Sequence, residues 1–355
     1  MNDSISNEWL TQPIAPLNLD CEKAARDRQT QLTKPPGSLG RLEEIAIQLA
    51  AMQGTTQPSV DRVNITIFAA DHGIAAEGVS AFPQSVTGQM INNFAQGGGA
   101  INVLARTLNA QLEIINLGTS HGDTESLTGV KHYHLGPGTA NFLHQPAMSQ
   151  GQCSQALAIG CETAELAQDK QTQLLIGGEM GIGNTTSATA LACVLLNASP
   201  ADLTGPGTGL DRAGVTHKAK IIERAVTLHK PNINAPLDAL CRVGGFEIAA
   251  LAGMYIRGAQ LGLSIVIDGF ISSVAALTAE QLAPGCKQWF IFSHQSAEPG
   301  HRIILQALSA KPLLDLNMRL GEGSGAAVAV NLLHMACALH NEMTTFNEAQ
   351  VAQKN

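Results

Sequence analysis

Charge and aromatic rings are scarce in this chain of 355 residues: Asp, Glu, Lys and Arg make up 14% and Phe, Trp and Tyr 4%, against 45% apolar residues. With so few rings to fill space, the interior has to be aliphatic and rich in Ala and Gly, with helices packed closely. Positive charge is in deficit, 21 Lys and Arg against 29 Asp and Glu, a net of −8. That balance excludes a nucleic-acid backbone as partner, because such binders carry a clustered basic excess. Small anions can still be met by local sites. CxxC pairs are absent. Cys21, Cys153, Cys161, Cys193, Cys241, Cys286 and Cys337 stand singly in apolar or mixed stretches and read as reduced structural thiols, as expected in the cytoplasm. No window approaches the roughly 20 uninterrupted apolar residues of a membrane helix. The opening MNDSISNEWL has neither the basic start nor the apolar run of a leader. No repeat array is evident, and the length suits one large domain, alone or with a small appendage.

What the chain does have is a series of short aliphatic runs, each followed by a Gly/Asp/Ser turn. They are VNITIFAAD (63–71), QLEIINLG (111–118), TQLLIGGE (172–179), SIVIDG (264–269), QWFIFS (288–293) and PLLDLN (312–317). Strands alternating with helical patterns predict an α/β fold with a mainly parallel sheet covered on both faces. In such sheets ligands collect outside the carboxyl ends of the strands. The residues just past each run are therefore the first candidates: Asp71 and His72, Gly118, Glu179, Asp268, Ser293 to Ser296, and Arg319 to Glu322. The first 35 residues are polar and Pro-spotted. PPGSLGRLEEIAIQLAAM (35–52) then turns amphipathic, with Leu39, Leu42, Ile45, Ile47 and Leu49 mostly on one side, and a last helical pattern covers about 325–341. The two ends are expected to pack together as a small helical unit.

Each polar constellation has a plain structural alternative. GGEMGIGNTTSATA (177–190) follows a strand and opens a helix; its glycines let backbone N–H groups converge, and Asn184, Thr185 and Thr186 add donors for an anionic oxygen. The alternative is a tight turn with a Thr cap, and the GK[ST] ending of a P-loop is missing. GPGTGLDRAGVTHKAK (205–220) supplies Lys218, a phosphate partner or a surface lysine. Asp71 and His72 in AADHG read as a structural turn in preference to a metal or acid–base dyad, and His132 and His134 lack a third metal ligand. FSHQSAEPGH (292–301) offers hydroxyl donors without the GxSxG elbow of a serine hydrolase. Glu322, flanked by glycines in RLGEGSGAA, is either a general base or a residue that caps the next helix or pairs with Arg319. Burial would raise its pKa and the helix starting near 325 would lower it, so sequence leaves the direction open.

Taken together, KPPGSLGRLE (34–43), AADHG (69–73), GGEMGIGNTT (177–186), VGGFEIAALAGM (243–254), DGFISS (268–273), SHQSAEPGH (293–301) and MRLGEGSGAA (318–327) resemble the nicotinate-nucleotide:dimethylbenzimidazole phosphoribosyltransferase family, in order over about 30–340. The resemblance implies a Rossmann-like large domain (56–324), with a small helical domain built from 1–55 and 325–355, and a homodimer. It implies transfer of the phosphoribosyl group of nicotinate mononucleotide to 5,6-dimethylbenzimidazole, giving α-ribazole 5′-phosphate and nicotinate for the lower ligand of cobalamin, with no metal or cofactor. By position, Glu322 would be the general base; Glu179 and Gly181 would line the nucleotide, Lys218 and Ser296 the phosphate, and Met180 and Leu320 the azole. Phe82 and Met90 stand where some members carry polar azole-lining residues, which leaves the preferred base open, and Pro206 stands where others can have a basic residue. Hydrolysis of the mononucleotide on the same scaffold, or a non-catalytic nucleotide sensor, are the competing readings.

Overall fold

The chain winds into six parallel strands, β1 (Val63–Ala70), β2 (Gln111–Gly118), β3 (Val130–His132), β4 (Leu174–Met180), β5 (Ser264–Ile267) and β6 (Phe290–Phe292), in the spatial order β3-β2-β1-β4-β5-β6. The computed structural model describes residues 7–120 and 127–352; the first residues of the opening stretch and the end of the polar tail lie outside them. Every residue of β1 is buried, as a strand covered on both faces requires. This is the doubly wound order, in which the winding direction reverses between β1 and β4.

Two details of the sheet depart from the sequence reading. The run 312–317 is not a strand: only Leu314 bridges His294, and Asn317 turns away at φ +54°. Pro312 has no N–H to give a ladder, and β6 ends at Phe292, too short to carry a seventh strand beside it. Conversely, the short half-exposed run Val130–His132 pairs with β2 at residues 114–116. Its three residues hold too little apolar character to announce a strand.

Consecutive residues of β4 show what covers each face. A Cβ on Gly177 would meet Leu251 Cδ2 at 2.4 Å, on the helix Phe246–Leu261, whereas one on Gly178 would meet the Glu322 carbonyl carbon at 2.6 Å. The first face carries Phe246–Leu261, buried along almost its whole length, with the helix Gln150–Asp169 behind it. Their backbones nearly touch: a Cβ on Gly160 would lie 1.9 Å from Ala250 O, and one on Gly253 2.1 Å from Leu157 O. Small residues replace rings as the means of tight packing. The second face carries the helices Arg41–Gln53 and Ser324–Glu342, which pack on each other.

The two chain ends meet there. A helix not evident in the polar opening, Leu19–Gln31, packs on Arg41–Gln53 and sends Arg28 to the carbonyls of His340, Asn341 and Met343 at 2.7, 3.0 and 3.2 Å. Helix Arg41–Gln53 starts later than its pattern, after the Pro35–Pro36–Gly37 turn, and looks two ways: Ile45, Leu49 and Met52 enter the main core, while Ile47 and Ala50 form a separate cluster with Ala25. Among the described residues, no helix is long and apolar enough to cross a membrane, no group of side chains has metal-ligand geometry, and all seven cysteines are free.

Candidate functional site

A cavity of about 590 Å³ opens at the carboxyl ends of β4, β5 and β6. Past β4, Glu179 and Met180 lead into the glycine turn, and the helix Asn184–Leu196 follows. Gly181 is required by close approach: a Cβ there would stand 2.4 Å from Ala70 O, at the tip of β1. Asn184 Nδ2 donates to Glu179 Oε2. Burial holds the Glu179 carboxyl well above the usual carboxylate range, and the negative charges of Glu247, Asp268 and Glu322 push it the same way.

Beneath this turn lies the pair His72 and Glu247, Nε2 to Oε1 2.8 Å, both fully buried. Asp71 has a different partner, accepting from Ser120 N at 2.8 Å and Oγ at 3.0 Å. Asp71 and His72 thus build the turn after β1 separately, and Glu247 is a residue that the sequence reading missed.

At one end of the cavity Thr185 Oγ1 accepts from Lys218 Nζ at 2.7 Å. Lys218 is 1% exposed, and burial pulls its ammonium down to about 8. It stands behind the wall, next to Gly207 and Thr185, while the other ten candidates, Asn184 and Ser296 among them, line the cavity. Ser296 N–H donates to His301 Nδ1 at 2.8 Å, so the ring's remaining proton sits on Nε2 and points to Ser273 Oγ at 2.9 Å. Burial pushes His301 down to about 3, which keeps it neutral. Glu298 N–H donates to Ser296 Oγ at 3.3 Å, leaving the hydroxyl proton free to face a ligand.

At the other end, Glu322 is held in the left-handed region at φ +62°, between Gly321 at +84° and Gly323 at +71°. A non-glycine residue there stores roughly 1 kcal/mol or more of strain. The turn packs against Gly178, which aims the carboxylate at the start of another helix, Ala100–Thr107, where Oε2 accepts from Ile101 N at 3.3 Å. Burial raises Glu322 above the ordinary carboxylate value and outweighs the lowering by the N–H groups of Ile101 and Ala100. The direction left open by sequence is therefore upward. No ion pair to Arg319 occurs among the described residues, and the helix Ser324–Glu342 is capped by Asp268 instead, which accepts from Ala326 N at 2.8 Å. Phe82 and Leu320, 53% and 59% exposed, stand at the mouth with Met90 and Met180 further in.

Asp268, His294 and Glu298 also line the cavity. The first two were among the residues past the strands but carried no assigned role. Glu298, six residues beyond β6, gave no spacing signal.

A phosphoribosyltransferase family profile matches residues 14–351. The nicotinate-nucleotide–dimethylbenzimidazole phosphoribosyltransferase of Pseudomonas putida is 57% identical over 350 residues, 99% of this chain and 99% of the relative. Its namesake from Pseudomonas aeruginosa is 54% identical at the same coverage. The crystal structure of CobT from Thermus thermophilus superposes with a TM-score of 0.90 at 43% identity, covering 94% of this chain and 100% of the other. On this full-length similarity in sequence and fold, the chain belongs to the nicotinate-nucleotide:dimethylbenzimidazole phosphoribosyltransferase family.

Proposed function

We propose that the chain transfers the 5-phosphoribosyl group of nicotinate mononucleotide to 5,6-dimethylbenzimidazole, releasing nicotinate and forming α-ribazole 5′-phosphate for cobalamin. The observation that carries this reading is the Glu322 carboxylate, 5% exposed, without a cationic partner among the described residues, in the wall of a cavity whose mouth is apolar. A carboxylate with a raised pKa is a stronger base than an exposed one and suits removal of an azole N–H proton as the new bond forms.

Nicotinate leaves through a positively charged ring nitrogen, so its departure needs no metal. Attack from the opposite face inverts C1′ and turns a β substrate into an α product. Glu179 and Asp268, both buried, line the cavity with carboxyl oxygens whose dipoles favour positive charge spreading over the ribosyl carbon. Thr185 and Ser296 hold the phosphate and ribose, with Lys218 acting from behind Thr185. Phe82, Met90, Met180 and Leu320 wall the azole, and an apolar wall of this kind stacks dimethylbenzimidazole.

The absence of paired cysteines fits a reducing cytoplasm. The chain ends form the small helical unit, and the working form is a homodimer, as in the family resemblance. Product analysis tests the activity. An α-nucleotide that appears only when dimethylbenzimidazole is present supports transfer, ribose 5-phosphate alone would establish hydrolysis, and tight binding without turnover would establish a sensor.

A further inference from the structure

An acidic side chain lies where the preceding reading places a phosphate. Glu298 is 5% exposed and lines the cavity beside Ser296. Its Oε1 accepts from Gly207 N at 3.0 Å, while Oε2 is buried without a hydrogen-bond partner, pressed so close to Gly205 that a Cβ there would be 1.9 Å away. A half-satisfied buried carboxylate is costly unless something balances it. Here the opposite charge is Lys218, set across Gly207, where a Cβ would stand 3.1 Å from its Nζ.

A phosphate monoester brings a charge of about −1.5 to −2 at neutral pH. Lys218 cannot balance that charge and Glu298 together. The loop geometry offers a way out: Oε1 can keep accepting from Gly207 N–H as a carbonyl oxygen while a proton from solvent settles on the unpartnered Oε2. We infer that this subsite takes up its phosphate together with a proton, and that Glu298 is the group that receives it.

The other titratable neighbours do not substitute for it. Lys218, on the helix Arg212–His229, and Arg319, on the closing segment, both pull the Glu298 carboxyl down, while burial pushes it up. His301, which begins the next helix, stays neutral, His294 lies against His301, and Asp202 on the helix Pro200–Leu203 is exposed. The 204–209 loop carries no titratable side chain.

The inference rests on the nucleotide reading of the cavity, and the experiment separates the two. Nicotinate mononucleotide is titrated calorimetrically into the full chain at pH 7 in two buffers of different ionisation enthalpy, where Lys218 is already charged. The expected result is net proton uptake by the wild type, with a Kd that weakens by up to about tenfold per pH unit as the proton becomes scarce. In Glu298→Gln, which keeps an acceptor for Gly207 N–H, both the uptake and the slope should disappear while binding persists. Binding by wild type without proton uptake overturns the inference and leaves the nucleotide site standing, as does unchanged uptake in Glu298→Gln. No binding of the mononucleotide by wild type overturns both. The wild-type measurement needs no variant to fold.

Discussion

Around Glu322 the cavity buries like charges together, with Glu179, Asp268 and Glu322 each raised by burial and held by backbone N–H groups or an amide. Around Lys218 it buries opposite charges, the ammonium set against Glu298 and anchored on Thr185. A carboxylate crowded by other acids holds a proton more readily, which suits proton removal. A buried cation anchored on a threonine hydroxyl at the cavity wall suits an anion. One cavity thus has two ends of opposite electrostatic character, as the proposed nucleotide reading requires.

Removing the proposed base is expected to have the largest effect. Glu322→Gln keeps the shape and left-handed turn and is expected to cut kcat by about 10²-fold or more, leaving the KM for nicotinate mononucleotide little changed. Since burial raises Glu322, the acid limb of the wild-type kcat/KM profile should lie above the pH set by an ordinary carboxylate. Normal turnover in the variant would remove the proposed asymmetry between the ends. Lys218→Ala tests the opposite end. Loss of a charge-assisted contact should raise the KM for the mononucleotide roughly 10- to 100-fold, with a smaller change in kcat. In the wild type that KM should climb as pH passes about 8 and Lys218 loses its proton.

Phe82→Ala is expected to act on the azole alone. Loss of a stacking wall worth about 0.5–1.5 kcal/mol should weaken azole KM roughly 2- to 10-fold and leave mononucleotide affinity unchanged in steady-state assays. The smallest effect is on stability. A carboxyl raised in the folded state binds protons that the unfolded chain does not, so stability is full below the unfolded pKa and is lost as pH rises through the folded one. Glu179→Gln should therefore raise Tm at pH 8 by a few degrees, on the order of 1 kcal/mol, and the gain should shrink on acidification. An equal gain at every pH would mean that Glu179 is not held above its unfolded value.

Legibility from sequence followed how local the cause was. Five of the six runs read as strands are strands, because a doubly covered strand needs a short continuous apolar run bounded by turn residues, which each of them has. Pro312 broke the sixth, and β3 was too short to signal itself. The residues past the strands held Glu179, Asp268, His294 and Ser296, since a parallel sheet presents all its carboxyl ends on one edge, and Glu322 joins them in the cavity although the run before it is not a strand. Glu247 and Glu298 were invisible: their meaning comes from His72 and Gly207, 175 and 91 residues away.

Sequence by itself determined the strand-and-helix alternation, the glycine turns and the lone acid between two glycines, because each depends on neighbours a few positions apart. Only the tertiary structure decided which helix each acid caps. Asp268 takes the helix that follows Glu322, and Glu322 takes Ala100–Thr107, some 220 residues upstream. It also decided that burial outweighs those N–H groups in setting the proton affinity of Glu322. Charge, solvent and hydrogen-bond donors act through space, and the chain order does not record which distant segments will come to share it.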